Sequence, residues 1–312
     1  MTTAKGAARP KPLAERVVGP DRSPDLAVAA AEDSADVNRR FFSAYVTSLP
    51  GADRLRVLDF GCGGGAVVRM LRAAGVDCYG ADTFYDGAEY RGELFEQLLD
   101  AGIVRAIGAD GVLPFEDAFF DLVISDQVFE HVEDLEGVLD QLDRVLRPGG
   151  RMYHHFPSRE VLREGHIHIP LAHRLRPGRF RTAYTLVLRA AGFGDWKEGR
   201  TRREWVDWRL GWIDRYCVYR PYRELRASFD RRYVVRHVEI EYCRFRARDR
   251  PVLARALAAR SFRAPAERLF RRLAFMAVEL TPLAPSDVPG RPGAAPTDPP
   301  SNRAQRRGQS TS

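Results

Sequence analysis

Val57-Leu58-Asp59-Phe60-Gly61-Cys62-Gly63-Gly64-Gly65 decides the fold of this chain. Three residues with apolar side chains around one acid read as a buried strand, and the glycine run after them reads as a tight turn into the helical pattern that follows, Ala66 to Ala74. Glycine tolerates positive φ and leaves backbone that no Cβ shields, so a bulky polar ligand can dock against such a turn. The spacing of Gly61, Gly63 and Ala66 also satisfies the GxGxxG/A fingerprint of dinucleotide-binding folds, so the turn by itself leaves the cofactor open.

Working outward from that turn, short apolar runs alternate with helical periodicity, the pattern of a parallel sheet covered by crossover helices. Strands are predicted at Arg56 to Phe60, Asp77 to Ala81, Val104 to Gly108, Phe120 to Ser125 and Arg151 to Phe156. Helices are predicted at Ala66 to Ala74, Gly87 to Asp100 and Leu135 to Leu146, with an amphipathic helix over Asp36 to Leu49 ahead of the first strand. This is an α/β, Rossmann-like organisation with helices on both faces. Residues 36–160 are expected to form the cofactor-binding core, and residues 161–283 a basic substrate-side cap that also completes the sheet. Within the latter, a strand is expected near Tyr233 to Tyr242 and a last one at Phe275 to Leu280. The stretch Pro265 to Leu280 carries arginine on one side and Leu269, Phe270, Leu273 and Met276 on the other, so contact with an anionic membrane surface is the alternative reading. Residues 1–35 and 284–312, dominated by Pro, Ala, Gly, Ser and Arg, are expected to be disordered tails.

The chain has 312 residues, 45% of them hydrophobic, enough for an ordinary globular core. It shows no apolar run near the roughly 20 residues needed to span a bilayer and no leader-like start, and is read as cytoplasmic. Four cysteines without CxxC spacing agree, as buried free thiols rather than a zinc site. The net charge of +7 conceals an asymmetry: residues 36–150 carry −11 and residues 151–285 carry +16. A basic half beside an acidic half favours an anionic partner, although a solvated arginine-rich surface reads the same way.

Further acids narrow the cofactor. Asp59 precedes the first glycine by two positions and can bind an amino group or order the turn. Asp82 closes the second strand, where a carboxylate accepts both hydroxyls of a ribose. Asp110 in Ala109-Asp110-Gly111-Val112-Leu113-Pro114-Phe115 follows the third strand, where an adenine amino group can be held. The order VLDFGCGGG, YGAD, GADGVLPF, FDLVIS, FEHV and LRPGG resembles the class I S-adenosylmethionine-dependent methyltransferases, in their small-molecule, type 11-like branch, over about residues 55 to 156. The resemblance implies S-adenosyl-L-methionine as cofactor, with Asp59, Gly61, Cys62 and Gly63 toward its methionine part and Asp82 on the ribose. It further implies Asp110 and Gly111 around the adenine, and Ser125 to Gln127 bordering the methionine side. Glu130 and His131 are read as structural or cofactor-positioning.

Methyl transfer from a sulfonium needs alignment and, for a hydroxyl acceptor, a proton acceptor of near-neutral pKa. Five of the seven histidines cluster in and after the fifth strand: His154, His155, His166, His168 and His173. His166 and His168 are the favoured catalytic candidates and His154 the third. His166, His168, Glu160 and Glu164 also offer metal-ligand chemistry, but no metal is expected. Trp205, Trp208 and Trp212 at helical spacing read as a core-facing stripe, with Trp196 nearby. The expected acceptor is an oxygen, with nitrogen as the alternative, of a small-molecule, glycan or lipid-linked compound, anionic in character. Nucleic acid is disfavoured because no RNA-binding motif accompanies the arginines. A non-catalytic cofactor-binding module is the remaining alternative.

Overall fold

A computed structural model describes residues 36–84, 93–195 and 199–283. The expected tails, the first turns of the helix predicted from Gly87, and Trp196 lie outside the described residues.

The sheet has seven strands: β1 (Arg56–Phe60), β2 (Asp77–Asp82), β3 (Val104–Ala106), β4 (Phe120–Asp126), β5 (Leu146–Phe156), β6 (Tyr233–His237) and β7 (Met276–Pro282). Their order is β3-β2-β1-β4-β5-β7-β6. Strands β1 to β5 are mutually parallel, whereas β7 runs antiparallel to both β5 and β6. The sheet is α/β and Rossmann-like, with helices on both faces. The chain departs in opposite directions from β1, first to β2 and β3 and later to β4 and β5, and such a reversal opens a crevice at the carboxyl ends of β1 and β4.

Strand side chains alternate between two cores, as the two-residue period requires. Leu58, Phe60 and Val123 join one cluster with helix α4 (Leu135–Val145) and helix α7 (Tyr222–Asp230). Val57, Leu122 and Ile124 join the other with α1 (Val37–Thr47), α2 (Ala66–Ala73) and α3 (Glu93–Asp100). Helix α1 is capped by Asp36, whose carboxylate accepts from the Asn38 and Arg39 amides. Its Phe41 and Phe42 close over buried His155, ring centroids 5.1 and 4.7 Å away.

A third, smaller cluster holds the cap together. Ile167, Ile169 and Ala172 pack on Trp205, Val206, Leu210 and Ile213 of α6 (Arg202–Tyr216), beside α5 (Arg179–Ala190). Trp205 is fully buried. Trp208 lies under the Arg200 and Arg209 guanidinium groups, 4.0 and 4.2 Å from its ring centroid. The strand expected to run to Tyr242 stops at His237: Glu239–Arg246 is helix α8, with Glu239 accepting hydrogen bonds from the Ala277 amide and Arg271. Helices α9 (Pro251–Ala258) and α10 (Arg260–Leu273) then lead into β7. Among the described residues no helix is long and apolar enough to cross a membrane.

Candidate functional site

Parallel register brings three carboxylates together. Asp59 of β1 pairs with Gly80 of β2 and Ile124 of β4, so Asp82 and Asp126 both emerge two residues beyond it at the same edge of the sheet. There a cleft of about 470 Å³ opens, lined among others by Gly61, Asp82, Gly111, Asp126, Gln127, His131, Arg215 and Tyr216.

The glycine turn is built for close approach. Gly61 has φ of 74°, its amide donates to Ala81 O at 2.7 Å, and a Cβ there would stand 2.3 Å from a Val128 methyl. Gly63 has φ of 50° and donates its amide to Asp82 Oδ2 at 2.8 Å, while the Phe84 amide donates to Oδ1 at 3.0 Å. These bonds lock the Asp82 rotamer and leave a lone pair on each oxygen facing the cleft. The Cys62 side chain is buried beneath the turn, where its Sγ blocks any Cβ at Gly80, so only its backbone is available to a ligand. Asp110 is exposed and does not line the cleft; its Oδ1 accepts from the Val112 amide at 3.1 Å, shaping the turn that presents Gly111.

Asp59 is buried, and desolvation, reinforced by the charges of Asp126 and Asp82 and opposed by Arg39, pushes its carboxyl up to about 8. Burial likewise raises Asp126 to about 7, against a hydrogen bond from Asn38 Nδ2 at 3.2 Å. Asp59 lies buried behind the cleft and Asp82 and Asp126 line it half-buried; carboxylates in this arrangement fit a cation, which would relieve their repulsion.

The histidines separate sharply. His154 is sealed inside the sheet, its Nδ1 hydrogen-bonded to Ser125 Oγ at 2.7 Å, and desolvation lowers it to about 3. Neither His154 nor Ser125 reaches the cleft, because both side chains of this cross-strand pair point into the core beside Phe129. His168 pairs through Nδ1 with the Asp195 carboxylate, on a loop whose Asp195 carbonyl accepts from Trp205 Nε1 at 3.0 Å. It ties the cap together away from the cleft lining. His173 Nε2 donates to the Arg159 carbonyl, 3.1 Å away.

His166 stands alone among the three candidates in adjoining the cleft wall. Its ring centroid is 5.0 Å from that of His131 and 4.9 Å from that of Trp212. Its Nδ1 lies 2.8 Å from Glu164 Oε1, and the buried Glu164 also accepts from the His166 and Ile167 amides and from Tyr219 OH. Burial raises the Glu164 carboxyl, but these donors outweigh it and hold the group below its ordinary range. His131 is lowered to about 4 by burial, and its Nδ1 meets Tyr216 O at 2.7 Å. Glu130 is buried, burial drives its carboxyl well above the usual range, and among the described residues neither of its oxygens has a hydrogen-bond partner.

Sequence reasoning assigned His131 a structural or positioning part, took in Asp126 only within the stretch Ser125 to Gln127, named Glu164 only among groups with metal-ligand chemistry, and did not single out Tyr216 or Cys217 for the site. Asp126 was recoverable as the residue that ends the fourth strand; Tyr216 and Cys217 carried no signal, since only the folding of α6 against the sheet brings them there. A second, larger groove of about 940 Å³ lies beyond Arg220, lined by Arg159, Arg174, Arg223, Arg268, Arg271 and Arg272 with Glu160 as its one acid.

Residues 58–154, about a third of the chain, match the family described as "Methyltransferase domain". The ubiquinone biosynthesis O-methyltransferase of Methylococcus capsulatus is 32% identical over 117 residues, covering 36% of this chain and 46% of that protein. Norajmaline N-methyltransferase of Rauvolfia serpentina is 32% identical over 123 residues, covering 39% and 41%. The crystal structure of an S-adenosylmethionine-dependent methyltransferase from Mesorhizobium loti is 20% identical, covering 76% of this chain and 95% of that one, with a TM-score of 0.44. The chain thus spans less than half the length of the curated relatives it matches.

Proposed function

We propose that this chain, on its class I methyltransferase fold, binds S-adenosyl-L-methionine and transfers the methyl group to an oxygen of a small, glycan or lipid-linked acceptor. The observation that carries the reading is the convergence of Asp59, Asp82 and Asp126 around the glycine turn at the crevice of the sheet. S-adenosylmethionine is cationic at its sulfonium and amino group and carries two vicinal ribose hydroxyls. The paired lone pairs of Asp82 suit the diol, and the buried acids suit the cationic end. Gly111 presents backbone beside the adenine position, Gln127 borders the methionine end, and Asp110 shapes the loop rather than touching the ring.

The acceptor enters opposite, against His131, Arg215 and Tyr216. With the cofactor supplying an activated methyl, the protein has to align the acceptor oxygen in line with the sulfonium and accept its proton. The imidazole pair of His131 and His166, oriented by Tyr216 O and Glu164, is where that proton is handled. Oxygen is favoured over nitrogen because such a paired-imidazole wall serves an acceptor that must lose a proton on attack; the ubiquinone biosynthesis relatives are named O-methyltransferases. The arginine groove favours an acceptor with an anionic portion. The four free cysteines suit a reducing, cytoplasmic setting. Exposed Leu269 and Leu273 on α10 make weak contact with a membrane surface part of the same proposal.

The test is methyl-labelled S-adenosylmethionine incubated with the protein and cell extract fractionated into lipid, glycan, nucleic-acid and small-molecule pools. Label in the lipid, glycan or small-molecule pool supports the reading. Label confined to nucleic acid, or a protein that fails to bind the cofactor by calorimetry, overturns it.

A further inference from the structure

Outside the cofactor-facing residues, one cluster of ligating side chains stands out. His131, His166 and Cys217 each offer one ligand atom, and these atoms lie within 4.8 Å of one another. They come from three separate segments. The turn after β4 supplies His131, the loop after β5 supplies His166, and the end of α6 supplies Cys217.

Two hydrogen bonds clamp these segments together. The Val218 amide donates to Glu130 O at 2.6 Å, and His131 Nδ1 donates to Tyr216 O at 2.7 Å, so Cys217 is held across from His131. The same bonds prepare both imidazoles. His131 has its Nδ1 on a backbone carbonyl and His166 has its Nδ1 on the Glu164 carboxylate, which fixes the plane of each ring. A ring nitrogen donated to a carbonyl or a carboxylate is the arrangement that orients metal-bound histidines and makes them more basic. Glu164 is itself fixed by the Tyr219 hydroxyl and two backbone amides.

A second observation points to a cation. Glu130 is 1% exposed, and among the described residues neither of its carboxylate oxygens has a hydrogen-bond partner. Glu164, also buried beside the trio, already accepts four hydrogen bonds, so Glu130 is the carboxyl group that a divalent ion would offset.

We propose that His131, His166 and Cys217 form a divalent metal site, zinc by the chemistry of its donors, with Glu164 and Tyr216 O as the outer groups that orient it. Two imidazoles and a thiolate make a borderline-soft set, and three protein ligands leave a tetrahedral ion one open position. Zinc–nitrogen bonds of about 2.0–2.1 Å and a zinc–sulfur bond of about 2.3 Å require ligand atoms roughly 3.3–3.6 Å apart. From 4.8 Å the side chains therefore close by about 1 Å, within the reach of rotamer adjustment. Binding converts the Cys217 thiol to thiolate and releases that proton to water. His131, Tyr216 and Val218 line the cleft, so the open position lies at the acceptor side, where an acceptor oxygen can complete the coordination. This inference rests on the acceptor side proposed above and revises how the imidazole pair acts there: as metal ligands rather than as the proton acceptor, the ion lowering the pKa of a coordinated acceptor oxygen so that its proton leaves to water.

Cobalt(II) is the probe, because its thiolate complexes absorb in the near ultraviolet and its tetrahedral complexes in the visible. Full-length protein stripped with chelator and titrated with cobalt(II) chloride should take up one ion with both bands, and zinc chloride should displace it. Cys217→Ser should lose the near-ultraviolet band, and Glu164→Gln should weaken cobalt affinity by about 10- to 100-fold. Calorimetry with S-adenosylmethionine on the same samples separates the two readings. A folded protein that binds the cofactor and gives no cobalt bands, or a Cys217→Ser variant whose spectrum matches wild type, overturns the metal site. Cobalt uptake without cofactor binding leaves the site standing and sinks the methyl-transfer reading.

Discussion

Replacing Asp59 by Asn should stabilise the protein in alkaline solution and weaken its hold on S-adenosylmethionine. Burial, with Asp126 and Asp82 nearby and Arg39 the opposing charge, raises this carboxyl from 3.8 to about 8. An unfolded chain ionises Asp59 near the lower value and the folded chain near the higher one. Between them the folded state holds more protons, so wild-type stability falls as pH climbs through that window. At about 1.4 kcal/mol per unit, the accumulated cost at about pH 9 is at most roughly 6 kcal/mol. An Asn side chain never ionises, but burying its amide with poor partners costs about 1–3 kcal/mol. The variant should therefore gain at most about 3–5 kcal/mol at about pH 9 and lose about 1–3 kcal/mol at about pH 4. Urea denaturation of the ligand-free protein at the two pH values reads both.

Affinity should move the opposite way. A carboxylate that meets a cation is worth about 1.5–3 kcal/mol, so Asp59→Asn should weaken S-adenosylmethionine binding by about 10- to 150-fold in calorimetry. Wild-type affinity should rise with pH through the range of about 7 to 8 where Asp126 and Asp59 ionise, and the variant should lose part of that slope. A variant no more stable than wild type at about pH 9, with undiminished affinity, refutes the idea that this buried acid waits for a cation.

Asp82→Ala should weaken cofactor binding by about tenfold or more, since it removes the diol acceptor and frees the Gly63 and Phe84 amides; calorimetry decides it. Gly61→Ala should abolish cofactor binding, because its Cβ meets Val128 at 2.3 Å on backbone with φ of 74°; adding Val128→Ala should recover part of the binding if the clash is the cause. His154→Ala should cost about 2–4 kcal/mol of stability in urea denaturation, through the cavity it leaves and the orphaned Ser125 hydroxyl. His168→Ala should change methyl-transfer rate by no more than about twofold, since it lies off the cleft; a loss beyond about tenfold would return it to the candidate bases.

The first half of the fold was legible because each of its elements announces itself locally. The apolar run at Val57–Phe60, the glycine turn and the helical spacing after Ala66 are one unit whatever surrounds them, and the parallel strands repeat the pattern. The last third was harder to read. Tyr233 to Tyr242 has strand-like text throughout, yet the strand breaks at His237, because Glu239 is recruited to hold the Ala277 amide and Arg271 and starts a helix.

By itself the sequence determined that a strand, a glycine turn and three acids lie in an order suited to a cationic, hydroxyl-bearing ligand, since strand polarity and carboxylate chemistry are local properties. Only the tertiary structure decided which histidine stands beside the cleft. His154, His166 and His168 lie within fifteen residues of one another, but alternation in β5 turns the first into the core and the Asp195 pair draws the third onto the cap. His166 remains at the wall because Glu164 and Tyr219 fix its ring beside His131. Cys217, fifty-one residues further on, joins them only because helix α6 packs back across the sheet.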